Sequence, residues 1–253
     1  GKSTAGFYER TEIGRQKMMK QIGLYIHINK KKKKCNYCDF LSAPANIQVQ
    51  NSYMDVLHKE IRKKATAYKE DIVDTIFIGG GTPTLVPYEK LVQVIRCMKE
   101  EYHLSNTCEI TMECNPGTVT KESLKAYKEA GINRLSIGLQ STDDELLKTL
   151  GRIHSYEQFL ETYQMARKVG FDNINVDIMS GLPNQTLKQY EDTLKKVVAL
   201  GVEHISAYSL IVEEGTPFFD SYEKEQLSLP KEDIERQMYY QTKEILEAAG
   251  YRR

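Results

Sequence analysis

The sequence predicts an α/β fold built on parallel strands, and three patterns carry that prediction. Six β-rich runs, near residues 23–28, 73–78, 108–113, 134–139, 173–179 and 204–210, alternate with helical stretches, as β/α units with right-handed crossovers do. Several runs are near-continuously apolar, Val73 to Ile78 and Ile174 to Met179 among them, as suits strands buried on both faces. One joint also recurs, in which a helical pattern meets a glycine and then a strand. Pattern alone leaves both a doubly wound sheet and an open or closed barrel in play.

Taken in order, the chain begins with residues 1–20, which are polar and show no core pattern. They read as an N-terminal extension of upstream or cloning origin, ahead of a core domain over residues 21–253. Gly1-Lys-Ser-Thr4 resembles the tail of a phosphate-binding loop, but no strand or glycine run feeds it. Met54, Leu57 and Ile61 share one helical face, as do Leu91, Ile95 and Met98. Thr142-Asp-Asp-Glu145, Ser155-Tyr-Glu-Gln158 and Thr186-Leu-Lys-Gln189 match the capping box, whose two side chains satisfy the first N–H groups of a helix. The joints Lys128-Glu-Ala-Gly131, Arg167-Lys-Val-Gly170, Ala199-Leu-Gly201 and Ala248-Ala-Gly250 place glycine where a helix ends in left-handed backbone. The fourth stops as its strand should begin.

Composition narrows the function classes. Thirty-five basic and thirty-five acidic side chains cancel, so no global field points to nucleic acid or to an anionic membrane. No apolar run approaches the roughly 18 residues that span a bilayer, and no signal-peptide core is present. Five cysteines in a chain this long read poorly as a disulfide framework. A cytoplasmic α/β protein is expected.

The unusual residues gather where such folds bind ligands, beyond the C-terminal ends of the strands. The first strand leads into Cys35-Asn-Tyr-Cys38, and the second ends in Gly79-Gly-Gly-Thr-Pro-Thr84. The third ends in Glu113-Cys-Asn-Pro116, the fourth in Gln140-Ser141, the fifth carries Asp177, and the sixth brings Tyr208 and Ser209. The thiol pair reads as two unrelated cysteines, a zinc site short of a second pair, or an iron–sulfur centre with ligands from elsewhere. Glu113 and Asp177 lie in apolar strands and need partners, because an unpaired buried carboxylate costs several kcal/mol. A ligand or a structural arginine would serve, and Arg152 is a candidate for either role. His27 reads as a hydrogen-bonded rim residue, Cys97 as core, Cys108 as opening the third strand, and Cys114 as facing away from Glu113.

Tyr25-Ile-His-Ile28, Cys35-Asn-Tyr-Cys-Asp-Phe40, Gly79-Gly-Gly-Thr-Pro-Thr84 and Glu113-Cys-Asn-Pro-Gly117 resemble the radical S-adenosylmethionine (SAM) superfamily. Asn133-Arg-Leu-Ser-Ile-Gly-Leu-Gln-Ser141, Leu150-Gly-Arg-Ile-His154 and Asp177-Ile-Met-Ser-Gly-Leu-Pro183 extend the match over roughly residues 22–251. The branch it is similar to holds oxygen-independent coproporphyrinogen III oxidases and HemW-type haem chaperones. The resemblance implies a partial (β/α)6 barrel, a [4Fe–4S] cluster on three cysteines spaced C-x-x-x-C-x-x-C, and SAM cleaved to a 5′-deoxyadenosyl radical. It implies Cys35 and Cys38 as metal ligands, and Tyr25, Tyr37, Gly80, Gly81, Thr82, Glu113, Gln140, Arg152 and Asp177 around SAM. Haem or a porphyrin, a flavodoxin- or ferredoxin-like electron donor and a haem-acceptor protein are the implied partners.

Three departures from that pattern stand in the sequence. The first cysteine of the triplet would fall at position 31, which is Lys31, and an ammonium has no lone pair to offer a metal. Phe40 occupies the position of a further cysteine in the oxidases, and so favours the chaperones. The family's C-terminal region, which in the chaperones carries a His-Asn motif associated with haem, is expected to be absent. Three functions follow: a haem chaperone, a porphyrinogen-decarboxylating oxidase, and a cluster-deficient fragment that keeps the barrel.

Overall fold

Six parallel strands make one curved sheet: β1 (Gln21–Ile28), β2 (Ile72–Gly80), β3 (His103–Cys114), β4 (Arg134–Gln140), β5 (Ile174–Ser180) and β6 (His204–Ser209). The computed structural model describes residues 19–30, 35–38 and 47–253, so most of the expected extension, together with Lys31 and Phe40, lies outside the described residues. The strands pair in chain order from β1 to β6, every neighbour parallel. With helices packed on one side, they form the half-barrel expected of a partial (β/α)6 fold.

The crossovers run through α1 (Ile47–Ala65), α2 (Tyr88–Glu101), α3 (Lys121–Ala130), α4 (Asp144–Thr149), α5 (Tyr156–Val169) and α6 (Leu187–Ala199). Two further helices, α7 (Pro217–Glu223) and α8 (Glu232–Ala248), follow β6. Ser155 and Thr186 close their capping boxes onto Gln158 and Gln189, as the spacing predicts. The expected box at Thr142 is corrected by one residue. Asp143 is the N-cap of α4, its carboxylate taking the N–H groups of Glu145 and Leu146, while Thr142 donates its own N–H to Thr193 Oγ1. A charged acceptor outcompetes a hydroxyl at the positive end of the helix dipole. Cys108 is also corrected: β3 starts at His103, so the thiol lies within the strand.

The two faces of the sheet differ in chemistry. Ile26, Ile28, Ile76, Ile78, Ile110, Met112, Leu135, Ile137, Ile174 and Val176 point outward and are buried against Met54, Leu91, Ile95, Leu124, Phe159 and Leu194 of the helices. Each such side chain contributes about 1.5–3 kcal/mol by leaving water. Because side chains alternate along a strand, the residues between them line the inner face. There Tyr25 stacks on Phe77, and Glu113, Ser136, Asn175, Asp177, Ser206 and Tyr208 follow on successive strands. The helix-covered face holds the fold together and the inner face is left to polar groups. Beside the edge strand β6, a cavity of about 880 Å³ opens against α8, lined among others by Tyr190, His204, Tyr208, Thr242 and Tyr251. No helix among the described residues is long and apolar enough to cross a membrane.

Candidate functional site

Past the C-terminal end of β1, Cys35 and Cys38 close a short turn, with Cys38 N–H donating to Cys35 O at 3.2 Å. All five cysteines of the chain are thiols rather than disulfides. The turn is anchored from both sides by Asn36. Its backbone N–H donates to Leu150 O at 3.0 Å and accepts through its carbonyl from Phe218 N–H at 3.0 Å, and its side-chain Nδ2 donates to Thr149 O at 2.9 Å. The end of α4 and the start of α7 therefore hold the thiols in place.

The glycine turn after β2 is set by close backbone approach. Gly81 N–H donates to Ile28 O at 2.6 Å and Thr82 N–H to Lys30 O at 2.7 Å, so β2's exit is laced to β1's. A Cβ at Gly81 would sit 2.4 Å from Lys30 O and 2.7 Å from Ile28 O, both backbone atoms that cannot swing aside. Gly80 has φ +104°, and a Cβ there would meet the His27 ring at 2.5 Å. Lys30 adds a staple, its ammonium donating to Leu85 O at 2.7 Å. The glycines are thus required by close approach of β1 and the His27 ring.

Both expected carboxylates point inward. Glu113 Oε2 accepts from Gly80 N–H at 3.0 Å. Asp177 is held by neutral donors, Asn175 Nδ2 at 2.8 Å and Ser136 Oγ at 3.3 Å. Burial raises the Asp177 pKa above the usual carboxylate range, with hydrogen bonds from Asn175, Ser206 and Ser136 opposing the shift. Arg152 directs its guanidinium to Gly138 O at 2.7 Å, Asn115 Oδ1 at 3.2 Å and Cys35 Sγ at 3.9 Å. Burial opposes its charge, but Tyr37 and Cys35 outweigh that and raise its pKa. Tyr37 itself is raised, chiefly by burial. The neighbouring His154 is 6% exposed, donates its Nε2–H to Leu139 O at 3.2 Å, and is pushed down to about 3 by burial and by Arg152.

Of the sequence-derived candidates, Tyr25 lies on β1 and Cys35, Tyr37 and Cys38 in the turn beyond it, Gly80, Gly81 and Thr82 at the exit of β2, Glu113 near the end of β3, and Gln140 and Arg152 at and after the end of β4, whereas Asp177 sits in the middle of β5, bonded to Asn175 and Ser136. Tyr25 stands at the margin, 58% exposed, its hydroxyl 3.3 Å from His27 Nδ1. Gln140 ends β4 with φ +73° after a register shift, and accepts from Tyr208 O–H at 2.9 Å. Four residues outside the expected set hydrogen-bond to these groups: Asn36, Asn115 and Tyr208 near the strand exits, and Asn175 at the second position of β5. Asn36 and Asn115 lie inside motifs already singled out, while Asn175 shares the parity of Asp177 in its strand. Tyr208 stood out only as the end of the sixth run.

The comparisons agree with this geometry. The family model for the radical SAM superfamily matches residues 25–197. A haem chaperone HemW from Bacillus subtilis is 39% identical over 230 residues, covering 89% of this chain and 60% of that protein. The mitochondrial radical S-adenosyl methionine domain-containing protein 1 of Danio rerio is 32% identical over 231 residues, covering 91% and 52%. Among solved structures, the coproporphyrinogen III oxidase HemN of Escherichia coli superposes with a TM-score of 0.82 at 25% identity, over 92% of this chain and 54% of that one. The chain thus spans about three fifths of the length of the HemW relatives it matches. Its family match, its six-stranded parallel half-barrel and its motif-bearing rim together establish that the chain belongs to the radical SAM superfamily.

Proposed function

We propose that this chain is the SAM-binding core of a haem-delivering protein, with its cofactor site on the rim just described. The observation that carries the reading is Arg152, a half-buried guanidinium in contact with the thiol turn (Cys35), the third strand's exit (Asn115) and the fourth strand (Gly138). A purely structural arginine needs no thiol beside it. The identity to HemW chaperones over nine tenths of the chain favours haem as the cargo.

The residues fit SAM. Glu113 and Asp177 supply acceptors for ammonium and hydroxyl groups, and Arg152 and Gln140 are polar groups suited to a carboxylate or hydroxyl. They fit a three-thiolate cluster only in part. Cys35 and Cys38 are two soft ligands, Lys31 occupies the third position in the sequence, and no group of three or more His, Cys, Asp or Glu able to hold a metal occurs among the described residues. When bound, a [4Fe–4S] cluster would supply electrons to SAM; nothing in the roles assigned here to the chain's own residues requires that step. Those roles are binding and orientation, with Arg152 screening thiolate charge. A flavodoxin- or ferredoxin-like donor, a haem acceptor and a cytoplasmic location complete the reading.

The likeness to HemN favours a second reading, an enzyme acting on a porphyrinogen. Anaerobic reconstitution followed by iron and sulfide analysis, paramagnetic resonance with and without SAM, and haem titration tests both. Haem binding with a SAM-dependent spectral change supports the chaperone. Porphyrinogen turnover without haem binding would sink it, and a folded chain that binds neither SAM nor haem would end both readings.

A further inference from the structure

We propose that Asn175 is a positioning residue: its amide, locked by Ser206, aims the Asp177 carboxylate toward the strand exits, where it accepts from a hydroxyl or ammonium group of a ligand. This rests on the reading of the rim, with the inner face beneath it, as a SAM site, and adds to it a residue outside the matched motifs and a role for it.

Four side chains on the inner face form one network: Ser136 is paired with Asn175 across β4 and β5, and Asp177 with Ser206 across β5 and β6. Asn175 is 2% exposed, and an amide so buried must find partners for its oxygen and both its hydrogens. Its Oδ1 accepts from Ser206 Oγ at 3.0 Å, and its Nδ2 donates to Ser136 Oγ and to Asp177 Oδ1, both at 2.8 Å. Turning the amide over would set its oxygen against the carboxylate, so one orientation alone satisfies the set. Ser136 carries the chain on, its hydroxyl donating to Asp177 Oδ2 at 3.3 Å. Arg134, whose charge reaches Asp177, directs its guanidinium to Thr111 and His204 instead. Among the described residues, then, Asp177 is held by neutral donors at or below its own level in the sheet, and none comes from nearer the strand exits. Its unclaimed lone pairs are left on the exit side, where a half-buried carboxylate accepts strongly from an arriving O–H or ammonium.

SAM offers two such groups, its ribose hydroxyls and the ammonium of its amino-acid end, and 5′-methylthioadenosine keeps only the first. The test measures the affinity of the reconstituted chain for both, with thermal melts to confirm that each variant is folded. Asn175→Leu removes the amide at similar volume and should lower SAM affinity about tenfold, as expected when a hydrogen bond to a charged group is lost. In an Asp177→Asn background the same change should cost less than about twofold, because no carboxylate is left to aim. A merely structural asparagine would lower both backgrounds equally. The 13C resonance of the Asp177 carboxyl should also titrate at higher pH in Asn175→Leu, since a donor to the charged form is gone, while Arg134, His204 and Tyr208, which face it from β4 and β6, are unchanged. Ser206→Ala, on the edge strand, frees the amide without removing it; it should cost about threefold, and serves as the test where Asn175→Leu does not fold. Loss for both ligands identifies the ribose hydroxyls as the group held, and loss for SAM alone identifies the ammonium. Wild-type SAM affinity in both variants, or equal losses in the two backgrounds, would overturn the proposal while leaving the SAM reading intact. A wild-type chain that binds no SAM would overturn both.

Discussion

Arg152 Nη1 lies 3.9 Å from Cys35 Sγ, while Nη2 of the same guanidinium donates to Gly138 O at 2.7 Å. The pair ties a turn after β1 to a strand three places along the sheet. The fork geometry matters more than the charge, since a lysine has one nitrogen and cannot serve both positions. Charge-bearing hydrogen bonds are worth about 1.5–3 kcal/mol each, so Arg152→Lys should weaken SAM binding by roughly 10- to 100-fold and lower the melting temperature by several degrees. Calorimetric titration and thermal melts read the two effects separately, and unchanged SAM affinity would assign Arg152 a structural role only.

Asp177 works against the fold that holds it. Its pKa is raised chiefly by burial, so the native state keeps its proton to higher pH than the unfolded chain does. Stability therefore falls as pH rises from the ordinary carboxylate value through the raised one, and stays lower at neutral pH. Asp177→Asn keeps an oxygen for the Asn175 and Ser136 donors and removes the charge. It should raise the melting temperature at pH 7.5, with the gain vanishing below about pH 4, and should weaken SAM binding. A lower melting temperature at pH 7.5 would show the carboxylate to be stabilising.

His154 has the opposite sign. Held down to about 3 by burial and by Arg152, it stays neutral in the fold while an unfolded imidazole takes up a proton near pH 6.5. Between those values the unfolded state binds more protons, so this residue's share of stability is lost as pH falls, at up to about 1.4 kcal/mol per pH unit. His154→Gln should flatten the stability profile between pH 6.5 and the onset of acid unfolding. Urea titrations at half-unit steps of pH would show it, and parallel profiles would mean the depression is absent.

Much of this was legible before any coordinates. Period and glycine joints located all six strands, because a buried parallel sheet demands apolar runs and a helix that ends in left-handed backbone demands glycine. The C-terminal rim rule points to Cys35, Gly80, Glu113 and Gln140 near the strand exits, while Asp177 lies in the middle of β5. What stayed hidden was how the rim is wired. Asn115 and Asn36 act through contacts to residues 37 and 113 positions away, and no local pattern encodes such pairings. Asp143 displaces Thr142 as the cap because two adjacent acceptors compete for the same N–H groups and the charged one prevails at the positive end of the helix dipole. Tyr208 was seen at the end of its run, but its bond to Gln140 crosses β5.

Lys31 is the sharpest discord between this chain and the three-cysteine pattern of its family. A thiolate donates electron density to iron, whereas a lysine ammonium must first lose a proton near pH 10.4 and then offers only a hard amine. Asn36 fixes the turn of the two thiols from two sides, so the wild-type chain is expected to retain some iron on reconstitution. Lys31→Cys should therefore raise iron and sulfide after reconstitution toward about four of each per chain, from a substoichiometric wild-type value. It should also sharpen the paramagnetic signal of the reduced protein and make it responsive to SAM. The double variant with Cys38→Ser should lose that gain, which separates a completed cluster from iron bound loosely to the added thiol. Equal iron in wild type and Lys31→Cys would mean that the wild-type site already finds its third ligand elsewhere.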